Sequence, residues 1–263
     1  MPVRPLLESK TVVITGTGPG LGAEVARVAF ADGANVVIGA RSGDTLAAFA
    51  RELDPTGERV VAVPTDITKP DECQRIVDTA IERFGRVDGL AQVAAYTGAS
   101  GGLRAADFDK VRRSIETNLI GSMRISTAAA DAMRETGGGS IVLVGSQSML
   151  APLIEQIGYA ASKGALLSAS FHMAKELGPD NVRVNTVVPN WMWGPPVETY
   201  VQWQATANDI TETEVKAKLE AAIPLGEIVP DEEVANAIAF FLSDRARCIT
   251  GQTLLVNGGE MMR

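Results

Sequence analysis

Residues 11–22 read TVVITGTGPGLG, and this stretch decides the fold. Its first five residues are apolar or β-branched, which is typical of a buried strand. Three glycines, Gly16, Gly20 and Gly22, then carry the chain into a helical pattern over 21–32. Glycines allow a tight turn close to a pyrophosphate, and the first N–H groups of a helix attract phosphate. The stretch predicts a dinucleotide-binding strand–turn–helix unit, with an ordinary turn as the simpler alternative.

Short apolar runs and longer helical patterns alternate along the rest of the chain. Further strands are predicted at 35–39, 59–63, 89–93, 140–144, 182–187 and 253–256. Further helices are predicted at 43–53, 70–84, 107–135, 158–178 and 231–243. This alternation indicates parallel β-α-β units with helices on both faces of one sheet. We therefore predict an α/β, doubly wound Rossmann-type fold with a seven-stranded parallel sheet, as a single domain over 1–263.

The segment 190–225 breaks this alternation. It begins NWMWGPP and continues as a polar helical stretch. Ligands of such sheets bind beyond the carboxyl ends of the strands, so an insertion after the sixth strand is predicted to form a small lid over the substrate.

The predicted lid holds all three tryptophans of the chain. Large aromatic side chains in a lid favour an apolar pocket for a hydrophobic alcohol or ketone. The alternative is that they pack the lid onto the body or into a subunit interface. The side chains predicted to line the substrate pocket are Trp191, Trp193, Tyr200 and, after the fourth strand, Tyr96.

Composition excludes several classes of function. The 263 residues carry a net charge of −8, which argues against nucleic acid or an anionic membrane as partner. No apolar run approaches the roughly 18 residues of a membrane span, and residues 1–5 lack the apolar stretch of a signal peptide. Two cysteines and the lone His172 show no metal-ligand spacing, so no metal is expected. We expect a cytoplasmic protein.

Tyr159 and Lys163 lie four residues apart in a predicted helix, so their side chains leave the same face. A phenol ordinarily keeps its proton until about pH 10, and a nearby ammonium lowers that pKa. A tyrosine tuned in this way can act as a general acid or base. A solvated helix face is the alternative interpretation.

The two patterns together, T-G-x-x-x-G-x-G and Tyr-x-x-x-Lys, resemble the short-chain dehydrogenase/reductase family over about residues 8 to 260. The resemblance implies reversible hydride transfer between NADP(H) or NAD(H) and a secondary alcohol or carbonyl compound. It also implies a homotetramer, or a homodimer, in which the helices at 107–135 and 158–178 pack against symmetry mates. Small residues such as Ala128, Ala129, Ala165 and Ala169 suit that contact.

The resemblance further implies a catalytic tetrad of Asn118, Ser146, Tyr159 and Lys163. Asn118 would hold a water of a proton relay, and Ser146 would hold the carbonyl oxygen of the substrate. Tyr159 would give or take the substrate proton. Lys163 would lower the pKa of Tyr159 and hydrogen-bond the nicotinamide ribose. Ser148 competes with Ser146, but Ser146 lies thirteen residues before Tyr159, which is the family spacing.

The end of the second strand bears on the cofactor. An acidic residue there would hold the ribose of NAD, whereas an arginine suits the 2′-phosphate of NADP. This chain has Ala40 and then Arg41, which favours NADP(H), with NAD(H) or a plain loop arginine as alternatives. Pro19 stands where a basic residue would strengthen that preference. The other cofactor contacts implied by the resemblance are Leu21, Asp66, Ile67, Ala94, Pro189 and Met192, beside the three glycines and the Tyr–Lys pair.

Two motifs depart from the family. QVAA at 92–95 replaces the usual Asn-Asn-Ala-Gly, and Gly194 replaces a threonine whose hydroxyl commonly meets the cofactor diphosphate or carboxamide. These changes bear on cofactor geometry and not on the fold. Two other functions stay open: an epimerase or dehydratase with a tightly held cofactor, and a non-catalytic dinucleotide-binding regulatory protein.

Overall fold

The computed structural model describes residues 5–152 and 154–262, without the side chain of residue 195. Residues 1–4 lie outside the described residues. They belong to the stretch 1–5, which was predicted to lack the apolar run of a signal peptide. The strands are β1 (Thr11–Thr15), β2 (Asn35–Ala40), β3 (Val60–Pro64), β4 (Gly89–Gln92), β5 (Gly139–Val144), β6 (Val182–Pro189) and β7 (Thr253–Val256).

Helices alternate with these strands. They are α1 (Leu21–Ala31), α2 (Gly43–Leu53), α3 (Pro70–Phe84), α4 (Phe108–Ile115), α5 (Ser122–Glu135), α6 (Ile157–Leu177), α7 (Pro195–Asn208), α8 (Glu212–Ala221) and α9 (Asp231–Leu242). Each predicted strand and helix is present, and no outer boundary moves by more than two residues. No helix of the described residues is both long and apolar enough to span a membrane.

All seven strands are parallel and lie in the order β3-β2-β1-β4-β5-β6-β7, which confirms the predicted doubly wound sheet. The order reverses at β1, whose neighbours are β2 on one side and β4 on the other. A crevice opens at such a switch point, beyond the carboxyl ends of the strands. The glycine-rich turn that follows β1 therefore lies at the edge where a dinucleotide would bind.

Apolar side chains of the strands point alternately to two helical layers. Along β1, Val12 and Ile14 face the core shared with α1, α2 and α9. Val13 faces the core shared with α3, α5 and α6. Both layers are fully buried at these positions, which makes the sheet a rigid base for the residues at its carboxyl edge.

The helix predicted over 107–135 differs from the expectation. A π-helical turn at Glu116–Gly121 separates α4 from α5. A widened turn of this kind is frequent at functional sites. Here it holds Asn118, which is fully buried.

The expected use of Ala128 and Ala129 at a subunit interface is wrong, whereas the other two expected alanines, Ala165 and Ala169, are half-buried on α6. The side chains of Ala128 and Ala129 are buried in the core of their own chain, against α3 and the sheet. Larger apolar side chains are exposed on these helices: Met123 on α5 (43%), Phe171 on α6 (48%), and, at the helix starts, Phe108 on α4 and Ile157 on α6.

The predicted lid consists of α7 and α8 with the loop that precedes them. Its buried side chains Val201, Ala205 and Val215 form a separate small cluster. Thr211 caps α8 in a capping box with Glu214. The lid therefore has a core of its own.

Candidate active site

Two motif glycines are required by the packing of the turn itself. Gly16 has a φ of 85°, and a Cβ there would lie 2.3 Å from the backbone nitrogen of Ala94. A Cβ at Gly22 would lie 2.1 Å from the carbonyl oxygen of Gly16. The Ala94 N–H in turn donates to the carbonyl of Thr15 (2.9 Å). The turn is thus pressed against the chain that leaves β4.

The remaining part of the turn is open and suits a phosphate group. Gly20, with a φ of 100°, is the N-cap of α1 and offers no side-chain cap to the first N–H groups of the helix. A Cβ at Gly18 would meet no atom within 4 Å. Uncapped N–H groups at an accessible helix N-terminus attract anions. The residues present therefore fit the diphosphate of a dinucleotide.

The end of β2 places Arg41 in solvent near Asp66. Burial alone would raise the pKa of Asp66. Hydrogen bonds from Thr68, with the positive charges of Arg41 and Lys69, lower that pKa below its usual value. Ile67 is buried beside the π-helical turn. Ala40 leaves the end of β2 without an acid, so Arg41 is the charged side chain there.

Ser146 and Ser148 share one small network after β5. The two hydroxyl oxygens lie 2.9 Å apart, and the backbone N–H of Ser148 donates to the Ser146 oxygen (3.3 Å). Ser146 is the N-cap of a short 3₁₀ turn, Gln147–Met149. Both serines line the cavity described below. Ser148, the alternative candidate, therefore lies beside the predicted catalytic Ser146 in the same site.

The electrostatics of Tyr159 differ from the expectation. Burial raises the pKa of the Tyr159 phenol, and hydrogen bonding with Ser146 opposes that rise. The Lys163 Nζ donates to the carbonyl of Val144 (2.7 Å) and lies 5.9 Å from the ring centroid of Tyr159, so its hydrogen bond is made with the backbone and not with the phenol. In this arrangement the phenol keeps its proton at neutral pH and is poised to donate it.

Lys163 is itself strongly affected by its surroundings. It is 2% exposed, and burial lowers the pKa of its ammonium to about 8. A buried lysine changes its charge more readily than an exposed one. Its side chain runs beneath Tyr159 toward the end of β5.

The Asn118 side chain makes several hydrogen bonds within the protein, in addition to the proton-relay role that the resemblance implies. Its side-chain oxygen accepts from the backbone N–H of Tyr96 (2.7 Å). Its amide donates to the carbonyl of Tyr96 (3.1 Å) and to the hydroxyls of Ser114 (3.1 Å) and Ser162 (2.9 Å). Asn118 therefore ties the loop after β4 to α6, one turn from Tyr159.

One cavity of about 290 Å³ joins the glycine turn, the end of β5, the start of α6 and the lid. It brings together Leu21, Ser146, Tyr159 and Met192, which were predicted from distant parts of the sequence. Met192 is also held to Val229 by a backbone bridge. Pro189 is buried at the end of β6, just before this wall.

Of the four predicted substrate residues, Trp191 and Tyr200 line the cavity, their ring centroids 5.1 Å apart. Trp193 and Tyr96 do not. Trp193 lies under Lys216, whose Nζ is 4.8 Å from the centroid, and Arg113 lies 4.6 Å from the ring of Tyr96. Each of these two rings therefore packs against a cation and does not line the cavity.

Several cavity residues escaped prediction because they lie in irregular loops or at a helix start. They are Thr97, Ile154, Gln156, Val197 and Asp231. Burial, with the negative charge of Glu24, raises the pKa of the Asp231 carboxyl. A carboxyl beside a phosphate-binding turn has no signature in a single sequence. No cluster of metal-ligating side chains is found among the described residues.

Comparison with known proteins agrees with this geometry. The family profile described as enoyl-(acyl carrier protein) reductase matches residues 16–260. The chain is 34% identical to L-rhamnose 1-dehydrogenase (NAD(P)(+)) of Sphingomonas sp. (strain SKA58), covering 97% of each sequence. It is 30% identical to the 7alpha-hydroxysteroid dehydrogenase of Escherichia coli (strain K12), covering 96% of this chain and 94% of that one.

Among solved structures, a single-substitution variant of actinorhodin polyketide ketoreductase with NADPH superposes with a TM-score of 0.88 at 27% identity, covering 95% of this chain and 97% of the other. The chain therefore belongs to the short-chain dehydrogenase/reductase family. Its reaction class is hydride transfer between a nicotinamide dinucleotide and an alcohol or carbonyl carbon.

Proposed function

We propose that this protein is an NADP(H)-preferring reductase of hydrophobic, ring-bearing ketones, and the dehydrogenase of the corresponding secondary alcohols. One observation carries the proposal. Ser146 and Tyr159 line a cavity whose lid side is formed by Trp191, Met192 and Tyr200. Proton-transfer groups on one side and an apolar wall on the other suit a carbonyl attached to an apolar ring.

The chemistry that a bound dinucleotide supplies is the hydride. Ser146 holds the substrate oxygen through its hydroxyl, and Tyr159 donates a proton to that oxygen as the alcohol forms. Its raised pKa keeps the phenol protonated for this step at neutral pH. The ammonium of Lys163 lies behind the phenol and would hold the ribose. Asn118 positions the loop beside them through its bonds to Tyr96.

Two relatives suggest different substrates, a sugar and a steroid. A sugar ring needs a hydrogen-bond partner for each hydroxyl, since unpaired polar groups are costly to desolvate. Here the Asn190 amide already donates to Glu260, and the opposing wall of Trp191 and Tyr200 is aromatic. These contacts favour the more apolar of the two substrates.

The NADP(H) preference is supported by Ala40 and the exposed Arg41 at the end of β2. Arg41 makes no hydrogen bond with the described residues, so its guanidinium is available to a 2′-phosphate. Assembly as a homotetramer or homodimer is also proposed, and is supported by the exposed Met123 and Phe171 on the two helices concerned. A cytoplasmic location stays a prediction.

The test is a substrate panel with purified protein, run with NADPH and NADH in parallel. It compares a steroid ketone, cyclohexanone and L-rhamnose, the sugar being assayed by oxidation. We expect the highest kcat/KM with the polycyclic ketone and NADPH. Preferred oxidation of the sugar would contradict the substrate class. Cofactor binding without turnover on any compound would instead favour the regulatory alternative.

A further inference from the structure

Asp231 lies between the glycine turn and the start of the lid. It is the first residue of α9, and its side chain lines the cavity. Its Oδ2 lies 3.3 Å from the position that a Cβ of Gly20 would take, and 3.9 Å from that of Gly194. The family resemblance places a contact to the diphosphate at Gly20, and a contact to the diphosphate or the carboxamide at the position of Gly194. The carboxyl therefore stands beside the part of the site that would hold two negative charges.

No hydrogen bond or ion pair reaches the Asp231 carboxyl from the part of the chain that the structure describes. The charged group that acts on it is Glu24 of α1, which is itself paired with Arg27 (2.7 Å). Within the described cavity lining, the other titratable side chains are Tyr159 and Tyr200, and none is a cation. On its own helix, the next two residues, Glu232 and Glu233, are exposed.

An unpaired carboxylate here would repel a diphosphate, because like charges at close range and partial burial oppose one another. A protonated carboxyl would do the opposite, since its O–H is a hydrogen-bond donor. The family threonine at the position of Gly194 supplies a donor of that kind, and this chain lacks it. Burial and Glu24 already favour the protonated form of Asp231.

We propose that Asp231 takes up a proton when a dinucleotide binds and donates it as a hydrogen bond to a diphosphate oxygen, replacing the missing threonine hydroxyl. The proposal rests on the proposed function in requiring that a dinucleotide bind at the glycine turn. The proton comes from solvent and forms an O–H bond on the carboxyl, and no bond of the cofactor is broken. Affinity for NADH and NADPH then falls together as the pH rises, because both carry the diphosphate.

The experiment is calorimetric titration of the protein with NADH at about pH 7.5 in two buffers of different ionisation enthalpy, which counts the protons taken up. NADH is the probe because it has no 2′-phosphate to titrate. We expect uptake on the order of half a proton or more for the unchanged chain, and clearly less for Asp231→Asn. The Asn variant should bind NADH up to about tenfold more tightly per pH unit above the pKa of Asp231.

Two further variants separate this role from a structural one. Asp231→Thr restores a hydroxyl donor and is expected to bind NADH tightly with little dependence on pH. Glu232→Gln removes an exposed charge from the same helix and should retain the proton uptake of the unchanged chain. Any proton exchanged by Lys163 is common to all four proteins and cancels in the comparison.

Weaker NADH binding by Asp231→Asn, with no proton uptake in the unchanged chain, would overturn the proposal and indicate a carboxylate that accepts from the carboxamide. Equal proton uptake in the unchanged chain and the Asn variant would also overturn it. If the unchanged chain bound neither NADH nor NADPH, the proposed function would fail, and this inference with it. Binding without coupled uptake would overturn this inference alone.

Discussion

The α/β body and the lid form opposite walls of one cavity, but they are held together very differently. The body rests on a seven-stranded sheet with fully buried layers on both faces. The lid has three buried apolar side chains in its own cluster. It is tied to the body near its start, where Asn190 donates to Glu260 and Met192 bridges to Val229.

This contrast separates two tasks. Groups that move a proton must be held to within a fraction of an ångström, and the edge of a buried sheet can do so. A wall that selects a substrate by shape can tolerate a smaller core and a looser attachment. We therefore expect changes in the body to act on the rate of reaction or on folding, and changes in the lid to act on substrate binding.

The largest effect should follow from Tyr159→Phe, which removes the hydroxyl and keeps the ring. Single-turnover hydride transfer on the best ketone should fall by roughly 10²- to 10⁴-fold, because the substrate oxygen loses its proton donor. NADPH affinity and the melting temperature should stay close to those of the unchanged protein. A rate within about threefold of the original would contradict the assignment of Tyr159.

A second prediction separates folding from binding within the glycine turn. Gly16→Ala should lower the free energy of unfolding by about 3 kcal/mol or more, since its Cβ would meet the backbone of Ala94 at 2.3 Å and its φ is 85°. Gly18→Ala is the matched control, because its Cβ meets nothing within 4 Å. It should change stability by less than about 0.5 kcal/mol in chemical denaturation. Equal losses in the two variants would show that the turn is not packed as described.

Much of the body could be predicted from the sequence, because its signals are local or strictly spaced. A strand that ends in a glycine turn can be predicted from an apolar run such as Val12–Ile14 and the glycines that follow it. The spacing of Ser146, Tyr159 and Lys163 reflects a strand end followed by one helix. All three lie where those signals indicate, with Ser146 and Tyr159 on the cavity wall.

What escaped prediction depends on packing between distant segments. Whether Trp191 or Trp193 lines the cavity depends on the path of a loop, and two tryptophans two positions apart do not show in the sequence which of them does so. The pKa of Tyr159 depends on where the Lys163 ammonium points, and in this fold it donates to Val144. Asp231 reaches the glycine turn only because α9 begins beside it.

A third prediction uses the buried charge of Lys163. Its pKa is about 8 in the folded protein against 10.5 ordinarily, so the unfolded chain binds more protons between these values and stability rises with pH there. The free energy of unfolding of the unchanged protein should therefore rise by about 2 kcal/mol relative to that of Lys163→Met between about pH 7.5 and 9.5. Thermal and urea unfolding at several pH values would measure this gain.

The control for that series is Lys175→Met, on the exposed side of the same helix. It should show no such dependence on pH, because the exposed Lys175 side chain stays hydrated in the folded protein. If the difference in the free energy of unfolding between the unchanged protein and Lys163→Met stayed constant or decreased as the pH rose, that result would contradict the buried position of Lys163.

The smallest effect should come from the lid. Trp191→Ala removes an aromatic wall of the cavity and should raise the KM of a polycyclic ketone by about tenfold, with kcat nearly unchanged. Trp203→Ala is the matched control, since Trp203 is 61% exposed and does not line the cavity. Its KM should match that of the unchanged protein. A similar KM rise in both variants would indicate loss of lid folding and not of a contact.

The division between body and lid is tested most directly by the double variant Tyr159→Phe/Trp191→Ala, assayed beside the two single variants on one polycyclic ketone. If proton transfer and substrate selection are separate, the losses in kcat/KM should multiply to within about twofold. The low kcat should follow Tyr159→Phe, and the high KM should follow Trp191→Ala. A double variant whose kcat/KM equals that of Tyr159→Phe alone, or a kcat that falls with Trp191→Ala, would contradict the account.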